Sequence, residues 1–203
     1  TGSGKSRLLE QLRAAGGQVL NLEAIACHRG SVLGGLPHAE QPTQKWFDSQ
    51  LWDALRQLDP KRPVFVESES RKVGAVHLPD GLLAAIRQAP CLHLELPLHE
   101  RVSLLRADYT HYETAPDALI TQLRCLRELH GHERIEQWIS LAQTGQWERL
   151  VEKLLTEHYD PAYARSVGQN FPQAAQAKVL RIERSTDTAF KALAEELLSE
   201  AAL

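Results

Sequence analysis

One short motif at the start of the chain limits the possible folds more than any other feature. Residues 1–6 are Thr-Gly-Ser-Gly-Lys-Ser, and Leu8, Leu9 and Leu12 follow at helical spacing. Glycines let backbone N–H groups wrap around phosphate oxygens, and the N-terminus of the next helix adds a partial positive charge. The pattern therefore predicts a phosphate-binding loop, or P-loop. Its predicted phosphate-binding residues are Gly2, Ser3, Gly4, Lys5 and Ser6.

Two side chains of this loop have predicted roles. Lys5 would bind terminal phosphates as a point charge, and Ser6 would ligate Mg²⁺ if Mg²⁺ is used. In the full motif, G-x-x-x-x-G-K-[ST], the first glycine lies two positions before Thr1. We therefore expect the loop, and the strand that feeds it, to belong to a longer protein.

The pattern downstream of the loop alternates between short apolar strands and amphipathic helices. Predicted strands cover residues 18–23, 62–67, 91–96 and 178–183. Predicted helices cover residues 6–14, 42–58, 80–88 and 188–203, with one more after Pro97. This alternation predicts an α/β fold of the P-loop NTPase-like type, with a parallel sheet flanked by helices. The run of apolar residues in 62–67 predicts a strand buried on both faces.

Strand signals stop near Tyr109, and helical periods continue to about Pro172. We expect an all-helical insertion before the last strand, which divides the chain into a P-loop core (1–108), the insertion (109–175) and a last strand and helix (176–203). Arginines and aromatic residues are interleaved in the insertion, as in surfaces that bind tRNA. Acidic residues are about as frequent there, so a solvated helical bundle is the alternative.

Polar residues that could carry chemistry occur in two loops. Glu67 ends a predicted buried strand, where it could act as a base or hold a metal-bound water, and Glu69 and Arg71 follow in the same turn. His28 and Arg29 lie in a glycine-rich loop, and suit proton transfer and phosphate binding respectively. A solvated strand end and an ordinary polar loop are the alternatives.

Composition excludes several classes of protein. The net charge is −3, so the chain is not a strongly basic nucleic-acid-binding domain. The three cysteines are far apart and form no C-x-x-C pair, which predicts no zinc site and a reducing, cytoplasmic location. No apolar run approaches the roughly 18 residues that a membrane span needs.

Several strings, taken in order, resemble one known family. They are residues 26–31 (ACHRGS), 41–47 (QPTQKWF), 66–74 (VESESRKVG), 77–79 (HLP), 129–131 (LHG) and 158–163 (HYDPAY). Together with the P-loop, this series is similar to the P-loop part of the bacterial tRNA 2-selenouridine synthases. Each string is weak by itself, but the ordered set covers nearly the whole chain.

The resemblance implies a reaction, its co-substrates and a set of site residues. Family members convert the wobble 2-thiouridine of certain tRNAs to 2-selenouridine through an S-geranylated intermediate, with geranyl diphosphate and selenophosphate as co-substrates. They also have an N-terminal rhodanese-like domain with a catalytic cysteine, whose role none of the three cysteines here inherits. By resemblance, one pocket would be lined by His28, Arg29, Gln44, Lys45, Glu67 and Arg71. From their placement in loops and at a strand end, we predict that Glu67, Arg29, His28 and Arg71 are catalytic. Substrate binding would involve Ser31, Gln44, Lys45 and Glu69.

Two other functions fit the residues before the resemblance is considered. A P-loop kinase for a small metabolite or nucleoside would turn over ATP with Mg²⁺. A nucleotide-gated module would bind RNA in a salt-sensitive way without any chemistry.

Overall fold

A computed structural model describes residues 1–31, 33–35 and 39–201. It is a mixed α/β fold, mostly helical, with two short pairs of parallel strands. The helices are α1 (Lys5–Ala14), α2 (Leu22–Ala26), α3 (Gln44–Arg56), α4 (Asp80–Gln88), α5 (Leu98–Asp108), α6 (Thr110–Thr114), α7 (Pro116–Arg124), α8 (Arg127–His130), α9 (His132–Gln143), α10 (Trp147–Leu154), α11 (Asp160–Asn170) and α12 (Asp187–Ala201). The strands are β1 (Gln18–Leu20), β2 (Val64–Val66), β3 (Lys72–Val73), β4 (Val76–His77), β5 (Leu92–Glu95) and β6 (Lys178–Arg181).

The parallel strands form two separate pairs. β1 pairs with β2, with Gln18 opposite Val64, and β5 pairs with β6, with Leu92 opposite Lys178. A groove of about 900 Å³ lies between β2 and β5 and extends to the P-loop. Val64 faces this groove with 38% of its surface exposed, so the prediction of a strand buried on both faces is wrong at this residue.

Apolar side chains gather in three clusters. The first packs α1 and α12 against β5 and β6, around Leu12 and Phe190, and includes Phe65 of β2 at its edge. The second covers the other side of β1 and β2 with α2, α3 and α4, around Phe47. The third lies mainly in the helices after α5, around Trp138 and Leu123, and includes Leu33 from the loop after α2. Each of the two strand pairs is therefore covered by helices.

The predicted strand over residues 18–23 is too long, because the chain turns into a helix after β1. The side chain of Asn21 accepts a hydrogen bond from the backbone N–H of Ala24 (2.8 Å), which caps the N-terminus of α2. α2 ends at Cys27, whose φ is 49°. The short helix carries the chain directly into the loop that starts at His28.

The hairpin of β3 and β4 was not predicted. Its strands have two residues each, which is too short for any periodicity to be visible. The side chain of Gln41 binds the hairpin instead: it donates to the carbonyl oxygens of Ala26 (2.9 Å) and Val73 (3.2 Å) and accepts from the N–H of Ala75 (2.7 Å). The hairpin therefore fixes the turn after Glu67 against the end of α2.

Helices follow one another without a strand from Thr110 to Asn170, as the sequence predicts. Leu155–Tyr159 is a π-helical turn between α10 and α11, and Pro172–Gln176 is a 3₁₀ turn. π-helical turns are rare and often occur at functional sites. This one places His158 2.9 Å from His130 and Tyr159 beside Ser31.

Candidate phosphate-binding site

The P-loop has the conformation that its glycines predict. Gly2 and Gly4 have φ values of 69° and 82°, which L-residues with side chains rarely adopt. A Cβ atom on Gly4 would lie 2.3 Å from Cζ of Phe190, a fully buried ring, so the loop also packs too closely for a larger residue. α1 begins at Lys5, and this helix end points its free N–H groups toward the loop.

Lys5 and Ser6 lie among carboxylates. The hydroxyl of Ser6 donates to Glu23 Oε2 (3.2 Å), and the ammonium of Lys5 lies 5.7 Å from the centre of the Tyr163 ring. The positive charge of Lys5 lowers the pKa values of Glu67 and Glu69, although it is a smaller influence than their burial. The lysine is thus held near the acidic side chains.

Glu67 is the most deeply buried charged side chain of the site, with 2% of its surface exposed. Its Oε2 accepts a hydrogen bond from the N–H of Leu22 (3.0 Å), whereas its buried Oε1 has no partner. Burial raises the pKa of Glu67 to about 7. This carboxyl group can therefore exchange a proton near neutral pH, as a general base requires.

Glu69 lies next to Glu67 and faces the loop of His28. A Cβ atom on Gly30 would lie 2.5 Å from Glu69 Oε2, and the φ of Gly30 is 70°, so a glycine suits this close approach. Burial, followed by the negative charge of Glu23, raises the pKa of Glu69 to about 7. Two neighbouring carboxyl groups thus bind protons more readily than usual at this end of β2.

The His28–Ser31 segment lies on the other side of the site. His28 Nδ1 accepts a hydrogen bond from the N–H of Gly30 (3.1 Å), and burial lowers the pKa of this imidazole. A neutral His28 therefore carries its proton on Nε2. The guanidinium of Arg29 stacks on Tyr109, 4.6 Å from the ring centre, and donates to the carbonyl oxygen of Asp108 (3.1 Å).

Arg71, Gln44 and Lys45, also predicted from the sequence, lie elsewhere or make other contacts. Arg71 forms an exposed ion pair with Asp80 (2.8 Å). The side chain of Gln44 bonds to the backbone of His77, which joins α3 to β4. Lys45 is an exposed residue of α3. Their functional roles remain predictions.

The structure adds residues that were not singled out for the site. Arg101 of α5 donates two hydrogen bonds to the carbonyl oxygen of Thr1 (3.0 and 2.8 Å) and two to the carboxylate of Asp160 (3.0 and 2.6 Å). Tyr163 shares a hydrogen bond with Ser68 (3.3 Å) and lies beside Lys5. Asp160 and Tyr163 belong to the string 158–163. This string indicated the family, but it did not show that these residues lie near the P-loop.

The geometry defines a class of protein, one with a P-loop at the N-terminus of a helix, an arrangement that suits phosphate groups. Among residues 1–31, 33–35 and 39–201, no group of three His, Cys, Asp or Glu side chains could hold a metal ion. The same residues contain no helix that is both long and apolar enough to cross a membrane.

Comparison with known families identifies the chain more closely. Residues 1–123 match the family described as the tRNA 2-selenouridine synthase AAA domain, and the chain belongs to this family. It is similar to a tRNA 2-selenouridine synthase from Marinobacter nauticus, with 31% identity over 191 residues, 80% of this chain and 51% of the relative. One from Alcanivorax borkumensis is 31% identical over 211 residues, 88% of this chain and 57% of the relative.

A shorter but closer match comes from Nitrosomonas eutropha, whose tRNA 2-selenouridine synthase is 40% identical over 112 residues, 54% of this chain and 28% of the relative. The chain spans about half the length of the curated relatives that it matches along most of its length. No solved structure matches it. The family resemblance predicted from the ordered strings is confirmed.

Proposed function

We propose that this chain is the phosphate-binding part of a transferase that converts the wobble 2-thiouridine of tRNA to 2-selenouridine through an S-geranylated intermediate. Geranyl diphosphate and selenophosphate would be its co-substrates. Family membership supports this proposal, and the structural observation that carries it is the charge of Lys5, in the P-loop, close to Glu67 and Glu69, two carboxyl groups of raised pKa. Both co-substrates present phosphate oxygens, which a P-loop binds.

The geranyl step needs a place for the leaving diphosphate. In this step the sulfur of 2-thiouridine attacks C1 of the geranyl group, and the C1–O bond breaks with its electron pair on the diphosphate. We expect the loop N–H groups, Lys5 and Arg29 to stabilise this growing negative charge. Ser6 would help to hold Mg²⁺ if the diphosphate brings this ion with it.

The same step releases the proton on N3 of the thiouridine. Glu67 is suited to accept this proton, because its Oε1 has no partner and its pKa is raised to about 7. Protonation of Glu69, whose pKa is also raised to about 7, would reduce its repulsion of an anionic ligand, while Glu67 stays ionised to accept the N3 proton. Binding of diphosphate would therefore take up protons, and we expect it to weaken as the pH rises above about 7.

The two strand pairs are best explained as parts of one P-loop-type parallel sheet. Phe65 of β2, and Leu94 and Leu180 of β5 and β6, share one apolar cluster beneath α1 and α12. The groove between β2 and β5 has a strand edge on each side, and one more strand of the longer protein would join the pairs. We expect that strand to lead into the P-loop.

We also propose that the helices between Thr110 and Asn170 form a subdomain that contacts tRNA. Arg124, Arg149 and Arg165 are exposed on these helices, which leaves their guanidinium groups accessible to phosphates. The rhodanese-like domain expected from the family would be a second partner, within the same polypeptide.

A binding and product measurement tests the proposal in the full-length protein. Lys5→Ala should weaken binding of inorganic pyrophosphate at least about 10-fold and remove geranylation of 2-thiouridine tRNA, because the loop loses its charge. Lys61→Ala, at an exposed loop position, is the matched control and should change neither. Unchanged geranylation in Lys5→Ala, or transfer of phosphate from ATP to a nucleoside by the wild type, would contradict the proposal.

A further inference from the structure

An apolar pocket lies between α5, α7 and α10, outside the phosphate site described above. Its walls are Leu105, Tyr109, Leu119, Leu150, Val151 and Leu154. Leu119, Leu150 and Leu154 are buried and belong to the apolar cluster of the helical region, so this wall is firmly packed. Val151 is only partly buried, and it faces space that other side chains do not fill.

The pocket is continuous with the P-loop. Thr1 lines both the pocket and the groove that contains Lys5 and Glu67. Gly2 packs directly on the pocket wall, since a Cβ atom there would lie 3.0 Å from Cγ and Cδ1 of Leu105. A ligand with phosphate oxygens on the loop would thus have its next atoms at the opening of an apolar space.

The rim of the pocket carries the polar groups that separate the two environments. Arg29 stacks on Tyr109, which lines the pocket, and donates to the carbonyl oxygen of Asp108. The hydroxyl of Tyr159 is hydrogen-bonded to Ser31, and burial raises the pKa of this phenol, so it stays neutral. The pocket is therefore lined mainly by hydrocarbon, apart from the Arg106–Glu113 ion pair, whereas the adjoining groove contains Lys5 and Glu67.

An anion site joined to an apolar pocket fits an amphiphile with a phosphate head and a hydrocarbon tail. Arg106 and Glu113 also line the pocket but pair with each other (3.0 Å), so most of the remaining wall is hydrocarbon and suits a tail better than a ribose and base. Each methylene group that moves from water into the pocket makes binding more favourable. A ligand whose hydrocarbon length matches the pocket should therefore bind most tightly.

We propose that this pocket holds the hydrocarbon tail of a prenyl diphosphate and that Leu119 and Val151 set the tail length it accepts. This inference rests on the proposed function, because it requires the diphosphate to lie on the P-loop. The tail enters past Thr1 and Gly2, with Arg29 near the bond between carbon and diphosphate, and its end reaches the side chains of α7 and α10.

Calorimetry on the full-length protein tests this with three ligands: inorganic pyrophosphate, dimethylallyl diphosphate and geranyl diphosphate. Val151→Trp should fill the pocket and weaken geranyl diphosphate about 10- to 100-fold, while pyrophosphate changes less than about 2-fold. Dimethylallyl diphosphate, with five fewer carbons, should lose much less affinity. Leu129→Trp is the matched control, because Leu129 is an exposed residue of α8 outside the pocket.

A second variant enlarges the pocket instead of filling it. Leu119→Ala should improve binding of farnesyl diphosphate relative to geranyl diphosphate several-fold. If both variants and the wild type have the same relative affinities for these diphosphates, the pocket assignment is wrong, whereas the phosphate site is unaffected. Failure of the wild type to bind pyrophosphate would instead contradict the proposed function, together with the inference that depends on it.

Discussion

The phosphate site and the apolar pocket are adjacent, but the chain builds them in different ways. Six consecutive residues and the first turn of α1 form the P-loop. The pocket instead collects side chains from Ser31 to Tyr159, carried by one loop and several helices. The first is a local structure that short-range geometry dictates, whereas the second exists only after the helices pack. The comparison suggests that the loop determines which head group binds and the helices determine what is attached to it.

The largest expected effect tests whether the loop is as rigid as its packing indicates. Gly4→Ala adds a methyl group at a φ of 82° and 2.3 Å from the buried ring of Phe190. Positive φ costs about 1–2 kcal/mol, and overpacking costs about 1–3 kcal/mol more. Urea denaturation should therefore report a loss of roughly 3 kcal/mol in the free energy of unfolding.

Two variants serve as checks on that loss. Gly81→Ala, in α4 with open space around it, should not destabilise the protein. Adding Phe190→Leu to Gly4→Ala should restore part of the lost stability, because it removes the atoms that the methyl group meets. A loss below about 1 kcal/mol in Gly4→Ala would mean that the loop adapts freely.

The next effect concerns the proton on Glu67. Burial raises the pKa of this carboxyl to about 7 in the folded protein, so between about pH 4.5 and pH 7 the unfolded chain gives up the proton more readily. Unfolding therefore becomes easier as the pH rises through this range. Glu67→Gln keeps an oxygen for the N–H of Leu22 and should raise the free energy of unfolding at pH 8 by up to about 3 kcal/mol.

The stability gain of Glu67→Gln should shrink at pH 4.5, and its geranylation activity should be lost at every pH if Glu67 is the base. Glu10→Gln, at an exposed position of α1, is the matched control, with changes below about 0.5 kcal/mol at both pH values. A Glu67→Gln protein that is less stable than the wild type at pH 8 would refute the raised pKa.

A smaller effect tests the contact that Arg101 makes between the P-loop and α11. Arg101 joins the carbonyl oxygen of Thr1 to the carboxylate of Asp160, and 16% of its side chain is exposed. Arg101→Ala should lower the free energy of unfolding by about 1–2 kcal/mol, because the carbonyl oxygen of Thr1 and the partly exposed carboxylate of Asp160 lose charged donors. Hydrogen exchange should become faster in the first turn of α11. Unchanged hydrogen exchange there would show that Arg101 does not couple the P-loop to α11.

The smallest effect is expected at Arg71, which forms an exposed ion pair with Asp80. Arg71→Ala should change stability by no more than about 0.5 kcal/mol, since exposed ion pairs contribute little. The variant also tests the sequence-based catalytic prediction: a loss of geranylation with unchanged pyrophosphate binding would support that role.

The sequence predicts the local parts of this molecule well. The P-loop, the order of helices and strands, and α4 with the bounds Asp80–Gln88 all follow from motifs and periodicity. The hairpin of β3 and β4 was missed because Gln41, about 30 residues earlier, holds it in place. Likewise, Arg101 and Asp160 are 59 positions apart, and nothing in either neighbourhood indicates that they meet. The pocket has the same origin, since packing brings its walls together.

A crystal structure of the full-length protein with a nonhydrolysable analogue of geranyl diphosphate would test the central claim most directly. We expect the phosphates to lie on the N–H groups of the P-loop with Lys5 beside them. The hydrocarbon tail should pass Leu105 and end between Leu119 and Val151. Phosphates bound away from the loop, or a tail that lies outside this pocket, would contradict it.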